Sequence, residues 1–216
     1  MAKLTGPLLS FSALGTIADT VTYSRWKGID FARQRVIPAN PNTIAQQETR
    51  SVFKTMSEMW KVLPALPIAP WDANAVGRPF TGRNRFMGDN LQVIRGDANM
   101  QDFIGSPGSL AGPATPPISA AYSAPNITVT MVEPTLPTGW TIQAAVAMAF
   151  PDQDPEVTFV GPVFAAEDNV TPFTSVVLDI TAGATGLYVV SGWYRFLRAD
   201  GRIAYGFSAQ DTVTKT

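Results

Sequence analysis

A short basic segment places the strongest constraint on how this chain folds: residues 20–36 read TVTYSRWKGIDFARQRV. Lys27 and Gly28 form a two-residue turn signal between two strand-forming runs, which predicts a β-hairpin. In that register Arg25 lies opposite Asp30. An isolated two-stranded hairpin is only marginally stable in water. Its rings and backbone edges stay solvated unless it covers a surface, so we predict that it is a contact element.

The apolar side chains of this predicted hairpin gather near its tip. The same register places Trp26 opposite Ile29, and Phe31 falls on the same face two residues further along. We interpret residues 1–37 as an N-terminal arm and β-hairpin that bind another subunit. The predicted assembly interface consists of Tyr23, Arg25, Trp26, Lys27, Gly28, Ile29, Phe31, Arg33 and Arg35.

Composition narrows the chemistry that the chain can perform. Its 216 residues are 45% hydrophobic, which is enough for a real core, and they include no cysteine and no histidine. Disulfides, thiolate nucleophiles, imidazole metal sites and the Ser-His-Asp arrangement are therefore excluded. We expect no enzymatic activity and assign no catalytic, cofactor-binding or metal-binding residue. No apolar run approaches the roughly 18 residues of a membrane span, so no membrane partner is expected.

Charge is distributed unevenly along the chain. Residues 1–100 carry 12 Lys and Arg against 7 Asp and Glu, whereas residues 101–216 carry 4 against 10. A basic first half is suited to nucleic acid or to the acidic surface of a protein, including a neighbouring copy of the chain.

Residues 38–103 are predicted to be a helical region. Thr43 is a natural N-cap, and Gln46 three residues later completes a capping-box pattern. Pro64 ends the first helix. The apolar side of that helix is predicted to contain Val52, Phe53, Met56, Met59, Trp60 and Leu63.

The remainder of the chain has a different character. Residues 104–118 are rich in Pro, Gly and Ser, which predicts a semi-stiff linker. Residues 119–216 contain short strand-forming runs separated by turn signals, a pattern typical of a β-sandwich. The runs are residues 127–132, 140–150, 157–164, 175–180, 187–197 and 202–208. The fold class predicted for the whole chain is α+β, mainly β.

This C-terminal part resembles an immunoglobulin or fibronectin-III-like module. Tyr188 stands where such modules place the tyrosine of the corner before the sixth strand, although Ala182 replaces the usual leucine six residues earlier. Sandwiches of this type present surfaces, and the fold alone assigns no function.

Two further patterns are ambiguous in sequence. The carboxylates of DQDPE, residues 152–156, lack the glycine and distal glutamate of a calcium loop, so we interpret them as a solvated loop between strands. Interleaved arginines in the basic half are compatible with a nucleic-acid groove, yet no known nucleic-acid-binding motif accompanies them. We favour pairing with carboxylates of other subunits. These arginines are Arg25, Arg33, Arg35, Arg50, Arg78, Arg83, Arg85 and Arg95.

A longer pattern joins the hairpin to the first helix. Its residues are Gly15, Val21, Tyr23, Trp26, Lys27, Gly28, Ile29, Arg33, Asn40, Pro41, Asn42, Thr43, Ala45, Gln46, Arg50 and Trp60. This pattern resembles small proteins of tailed bacteriophages and prophage regions, some of which are virion structural proteins. The resemblance covers about the first 95 residues.

The resemblance implies a non-enzymatic virion structural protein, made in the cytoplasm of the host bacterium. We expect it to form homo-oligomers or to bind other virion proteins, decorating or stabilising the capsid through its N-terminal arm. A tail, collar or head-to-tail component is the close alternative. A nucleic-acid-binding packaging or scaffolding protein is a second alternative, and a carboxylate-based hydrolase is the third.

Overall fold

The computed structural model describes residues 2–4, 15–18, 20–37, 42–108, 113 and 115–216. The chain divides into two compact units, a first unit at Met1–Asn42 and a body at Thr43–Thr216. No helix among the described residues is long and apolar enough to cross a membrane.

The first unit is one antiparallel sheet. Its strands are β1 (Ala2–Leu4), β2 (Gly15–Ile17), β3 (Val21–Trp26) and β4 (Ile29–Gln34). Their order across the sheet is β1-β4-β3-β2, so the predicted hairpin lies at the centre, with one short strand on either side.

Three helices open the body. They are α1 (Ile44–Val62), α2 (Ala65–Ala75) and α3 (Gly82–Ile94). Thr43 is the N-cap of α1, but its side chain makes no capping hydrogen bond, so the predicted capping box with Gln46 is wrong. The backbone carbonyl of Thr43 accepts from the backbone N–H of Gln46 instead.

The buried side of α1 follows the predicted spacing with one exception. Val52, Met56, Met59 and Leu63 are buried, whereas Phe53 is 52% exposed. Thr55 is buried two residues later, and its hydroxyl donates a hydrogen bond to the carbonyl of Val157.

Two antiparallel sheets follow the helices and confirm the predicted β-sandwich. Their strands are β5 (Ser119–Ser123), β6 (Asn126–Thr130), β7 (Trp140–Pro151), β8 (Phe164–Asp168), β9 (Ser175–Asp179), β10 (Gly186–Arg198), β11 (Ile203–Tyr205) and β12 (Ala209–Lys215). One sheet has the order β5-β6-β9. In the other, β8, β7 and β10 are neighbours, and β11 and β12 pair with different stretches of the free edge of β10.

The predicted strand at residues 157–164 is displaced. That stretch forms a loop, and β8 begins only at Phe164, because Pro162 and Gly161 with its φ of +131° interrupt a regular strand. Strands β5 and β12 were missed by the sequence pattern, whereas β10 and β11 are joined by a hairpin turn at residues 199–201.

Tyr188 confirms the expected corner. Its hydroxyl donates a hydrogen bond of 2.8 Å to the carbonyl of Ala184, a few residues upstream, as in immunoglobulin-like sandwiches. Burial raises the pKa of this phenol.

The body has two cores that share β7 and β10. One face of these strands packs against the three-stranded sheet through residues such as Ala147 and Tyr194. The opposite face packs against the helices through residues such as Met148 and Trp193. Helices and sandwich therefore form three layers, and the central sheet is buried on both sides.

The predicted linker does not separate a helical region, residues 38–103, from the sandwich. Trp71 of α2 donates its indole N–H to the carbonyl of Gly105, and Ser106 donates its hydroxyl to the carbonyl of Gly206. Residues 104–108 thus lie between α2 and the C-terminal strands, where backbone groups find fixed partners. Residues 109–112 and 114 of the predicted linker lie outside the described residues.

Candidate assembly surface

The turn between β3 and β4 has the geometry that its sequence predicts. Lys27 has φ +49° and Gly28 has φ +79°, the left-handed pair of a type I′ turn. Trp26 pairs with Ile29 across the strands, which confirms the predicted register. The turn therefore fixes which side chains share a face.

One face of the hairpin carries the aromatic tip. Trp26 and Ile29 are 67% and 47% exposed, and Phe31 on the same face is half-buried. The ammonium of Lys27 lies 4.9 Å from the centre of the Trp26 ring, a cation–π contact that holds the cation beside the apolar tip. We call the surface of Trp26, Lys27, Ile29 and Phe31 the tip face.

The other face of the hairpin carries an ion pair. Arg25 Nε lies 3.2 Å from Asp30 Oδ1, and these residues are directly opposite each other in the ladder. Tyr23 and Ala32 pair across the same face. The Arg25 side chain is 57% exposed, so the ion pair orients the guanidinium more than it stabilises the sheet.

The hairpin edges are less open than the sequence predicts. β1 pairs with residues 30–32 of β4, and β2 pairs with residues 21–23 of β3. The hydroxyls of Thr16 and Thr22 lie 3.1 Å apart across this second pairing. Because part of each edge is covered by the same chain, the side chains of the faces become the main surface for contact with another molecule.

Arg33 and Arg35 lie at the end of the hairpin that is remote from the turn. Both are exposed, and together with Thr20, Val21 and their neighbours they line a shallow depression of about 440 Å³. The predicted interface residues thus fall into two groups: one at the tip of the hairpin, and a positively charged one at the opposite end.

Burial is low in the strands β2, β3 and β4 of the first unit. Residues 15–18 and 20–37 are all exposed or half-buried, including every aliphatic and aromatic side chain among them. A sheet without a buried side chain lacks the apolar burial that normally stabilises a domain.

Arg83 and Arg85 of the body have local partners. Arg83 donates to the hydroxyl of Ser57 at 2.7 Å, and Arg85 Nε lies 2.7 Å from Asp89 Oδ2. Burial raises the pKa of Asp89 although the positive charge of Arg85 opposes the shift. These contacts are typical of a solvated helix surface.

The DQDPE segment is a loop, as expected from its sequence. Asp152 accepts from the backbone N–H of Met100 at 2.9 Å and from the side chain of Gln101 at 3.2 Å. Among the residues that the structure describes, no group of three Asp and Glu side chains is arranged to hold a metal ion.

Comparison with known proteins gives no relatives: no family model, no curated protein and no solved structure matches this chain.

Proposed function

We propose that this chain is a non-enzymatic structural protein of a bacteriophage particle and that its first unit is an assembly arm. The observation that carries the proposal is the exposure of the first unit. Its ordered turn presents Trp26 and Ile29 to solvent, and residues 15–18 and 20–37 are all exposed or half-buried. Exposed aromatic and arginine side chains on a defined scaffold are typical of protein interfaces.

The body suits the complementary role of a durable platform. Its two cores and its integrated 104–108 segment give it extensive burial of its own. We therefore expect the body to be stable by itself, whereas strands β2, β3 and β4 of the first unit have no buried side chain of their own. The resemblance of the first 95 or so residues to phage and prophage proteins supports a place in the virion, with a capsid-decorating or stabilising role ahead of a tail, collar or head-to-tail position.

The test is incorporation into particles of the phage that encodes the chain. Ile29→Ala removes part of the tip face, and Val76→Ala removes a similar apolar group that is 80% exposed on the body. We expect Ile29→Ala to lower the copy number per particle several-fold and Val76→Ala to leave it unchanged, as measured by quantitative mass spectrometry. Equal copy numbers for wild type and Ile29→Ala, or absence of the wild-type chain from particles, would contradict the proposal.

Nucleic-acid binding during packaging or scaffolding is the second candidate. It is favoured by the charge of residues 1–42, which carry five Lys and Arg against two Asp, a net charge of +3. Binding to phosphate weakens steeply as salt rises, with a linear dependence on a double-logarithmic scale. Retention of the full chain on DNA or RNA at low salt, lost in that manner, would support this candidate over protein assembly.

A further inference from the structure

In one long part of the chain, all the charged side chains are negative. No Lys or Arg occurs between Arg95 and Arg195, whereas nine acidic residues do. They are Asp97, Asp102, Glu133, Asp152, Asp154, Glu156, Glu167, Asp168 and Asp179. Arg195 already pairs with Glu167 at 2.8 Å, so the acidic residues of this part that have no such partner are the ones that attract a basic surface.

Within that part, the loop between β7 and β8 is held rigidly. Pro155 and Phe159 are buried, and the Phe159 ring packs 6.2 Å from the ring of Phe150. The hydroxyl of Thr55 donates to the carbonyl of Val157. The loop therefore presents its exposed side chains in a fixed arrangement, which lowers the entropy lost on binding.

The carboxylates of this loop have different roles. Asp154 Oδ1 accepts from the backbone N–H of Glu156 at 2.8 Å and so shapes the turn. Glu156 itself is exposed, and its carboxylate makes no hydrogen bond or ion pair with a described residue. Val157 and Val160 beside it are 56% and 71% exposed. We call the surface of Glu156, Val157 and Val160 the loop ridge.

The tip face and the loop ridge are complementary in kind. Each combines exposed apolar side chains with one adjacent charge, and the charges are opposite: Lys27 stands beside Trp26, and Glu156 stands beside Val157. The net charges of the two units are opposite as well, +3 for residues 1–42 and −4 for residues 43–216.

We propose that the tip face of one copy of this chain binds the loop ridge of a second copy. The inference deepens the proposed function and rests on it, because it names the partner of the assembly arm. Since each copy carries both surfaces, the contact is heterologous, and it closes into a ring or extends into a lattice according to its geometry. Apolar burial of Trp26 supplies affinity, and the pair of Lys27 with Glu156 supplies register.

The experiment is a charge exchange in the full chain, with self-association measured by sedimentation velocity at low and high salt. Lys27→Glu and Glu156→Lys each bring like charges together, so each is expected to weaken association about tenfold or more. The double variant restores opposite charges in reversed order and is expected to return to within about threefold of wild type. High salt is expected to reduce all of these differences.

Asp200→Lys is the control for net charge. Asp200 lies in the turn after β10, which is the end of the central sheet opposite to the loop ridge, roughly 36 Å away along β7 at about 3.3 Å per residue. Its reversal changes the charge of the body by the same amount as Glu156→Lys, and association is expected to stay as in wild type. Weakening as large as that of Glu156→Lys would overturn the assignment of the loop ridge.

Lys27→Asn separates binding from folding. Asparagine favours the first position of a type I′ turn, so this variant strengthens the hairpin while it removes the charge. We expect weaker association together with retained hairpin structure, as monitored by hydrogen exchange across β3 and β4. Unchanged association would overturn the role of Lys27.

The remaining outcomes distinguish this inference from the proposed function. A wild-type chain that stays monomeric at about 100 μM, or a double variant that fails to recover, overturns binding between copies. If Ile29→Ala nevertheless lowers incorporation into particles, the assembly arm stands and its partner is another virion protein. If the monomer instead binds a DNA oligonucleotide in a salt-dependent manner, the partner is nucleic acid.

Discussion

The first unit and the body are both built on antiparallel sheets, but their described residues differ in burial. The central sheet of the body has helices on one face and a second sheet on the other. Trp71 of α2 and Trp193 of β10 are fully buried in the core between the helices and this sheet. In the first unit, strands β2, β3 and β4 have no buried residue, and Trp26 is largely exposed. The difference teaches that pairing of strands alone does not complete a domain, since a sheet is stabilised mainly by the layer that packs on it.

The largest expected effect comes from a matched pair of tryptophan substitutions. Trp193→Ala leaves a cavity between the helices and the central sheet and should lower the free energy of unfolding by about 3–5 kcal/mol. Trp26→Ala removes an exposed ring and should change it by less than about 0.5 kcal/mol. Urea denaturation followed by circular dichroism measures both. Similar losses of unfolding free energy in the two variants would contradict the difference in burial between the two sheets.

The next effect concerns alkaline pH and the body alone. Burial, together with the negative charge of Glu133, raises the pKa of Tyr194 to about 12, from an ordinary value of 10.0. The folded state thus favours the neutral phenol, and the stability that this gives below pH 10 is lost as pH rises to about 12. The loss amounts to about 2–3 kcal/mol.

Tyr194→Phe isolates this contribution. The variant lacks the hydrogen bond from the Tyr194 hydroxyl to the carbonyl of Phe173 and should be about 1 kcal/mol less stable at neutral pH. Its stability should then fall less than that of wild type between pH 10 and 12, in denaturation curves recorded across that range. Parallel declines in the two proteins would show that Tyr194 does not titrate as the buried geometry implies.

A pair of glycine substitutions tests whether residues 104–108 belong to the body. A Cβ at Gly105 would collide with the hydroxyl of Ser191 and the ring of Trp193, so Gly105→Ala should cost about 1–3 kcal/mol. A Cβ at Gly88 in α3 meets nothing within 4 Å, and Gly88→Ala should stabilise the helix by up to about 1 kcal/mol. Thermal denaturation compares them. If Gly105→Ala left the stability unchanged, residues 104–108 would be a linker and not part of the body.

The smallest expected effect lies in the first unit. Lys27 adopts φ +49°, which asparagine tolerates better, so Lys27→Asn should slow hydrogen exchange at the amides of β3 and β4 by a few-fold. The melting temperature of the body should not change, because the substitution lies in the separate unit. Faster exchange in the variant would contradict the type I′ assignment.

Local sequence signals predicted the hairpin accurately. The pairing of Trp26 with Ile29 follows from the turn at Lys27 and Gly28, and the hydrogen bond of Tyr188 follows from its place near the start of the long strand β10. Each feature depends on residues that are close in sequence, so a short pattern contains the information. The assembly role of the tip stays a prediction.

The arrangement of layers was harder to predict. The spacing of α1 placed Phe53 on the buried side, but the loop after β7 covers the neighbouring Thr55 instead. The Pro, Gly and Ser residues of 104–108 suggested a spacer, although Gly105 packs closely against Ser191 and Trp193 and accepts a hydrogen bond from Trp71. One overlooked signal was the run of seven apolar residues at 144–150, because a strand without alternation is buried on both faces.

By itself the sequence determined the turn of the hairpin, both ends of α1, the presence of a β-sandwich and the absence of histidine and cysteine. Only the tertiary structure decided which faces are covered: the central sheet has a layer on each side, whereas residues 15–18 and 20–37 of the first unit stay exposed or half-buried. The physical reason is that turn geometry and side-chain periodicity act over a few residues. Burial depends instead on segments far apart in the chain, as in the contact of Thr55 with Val157.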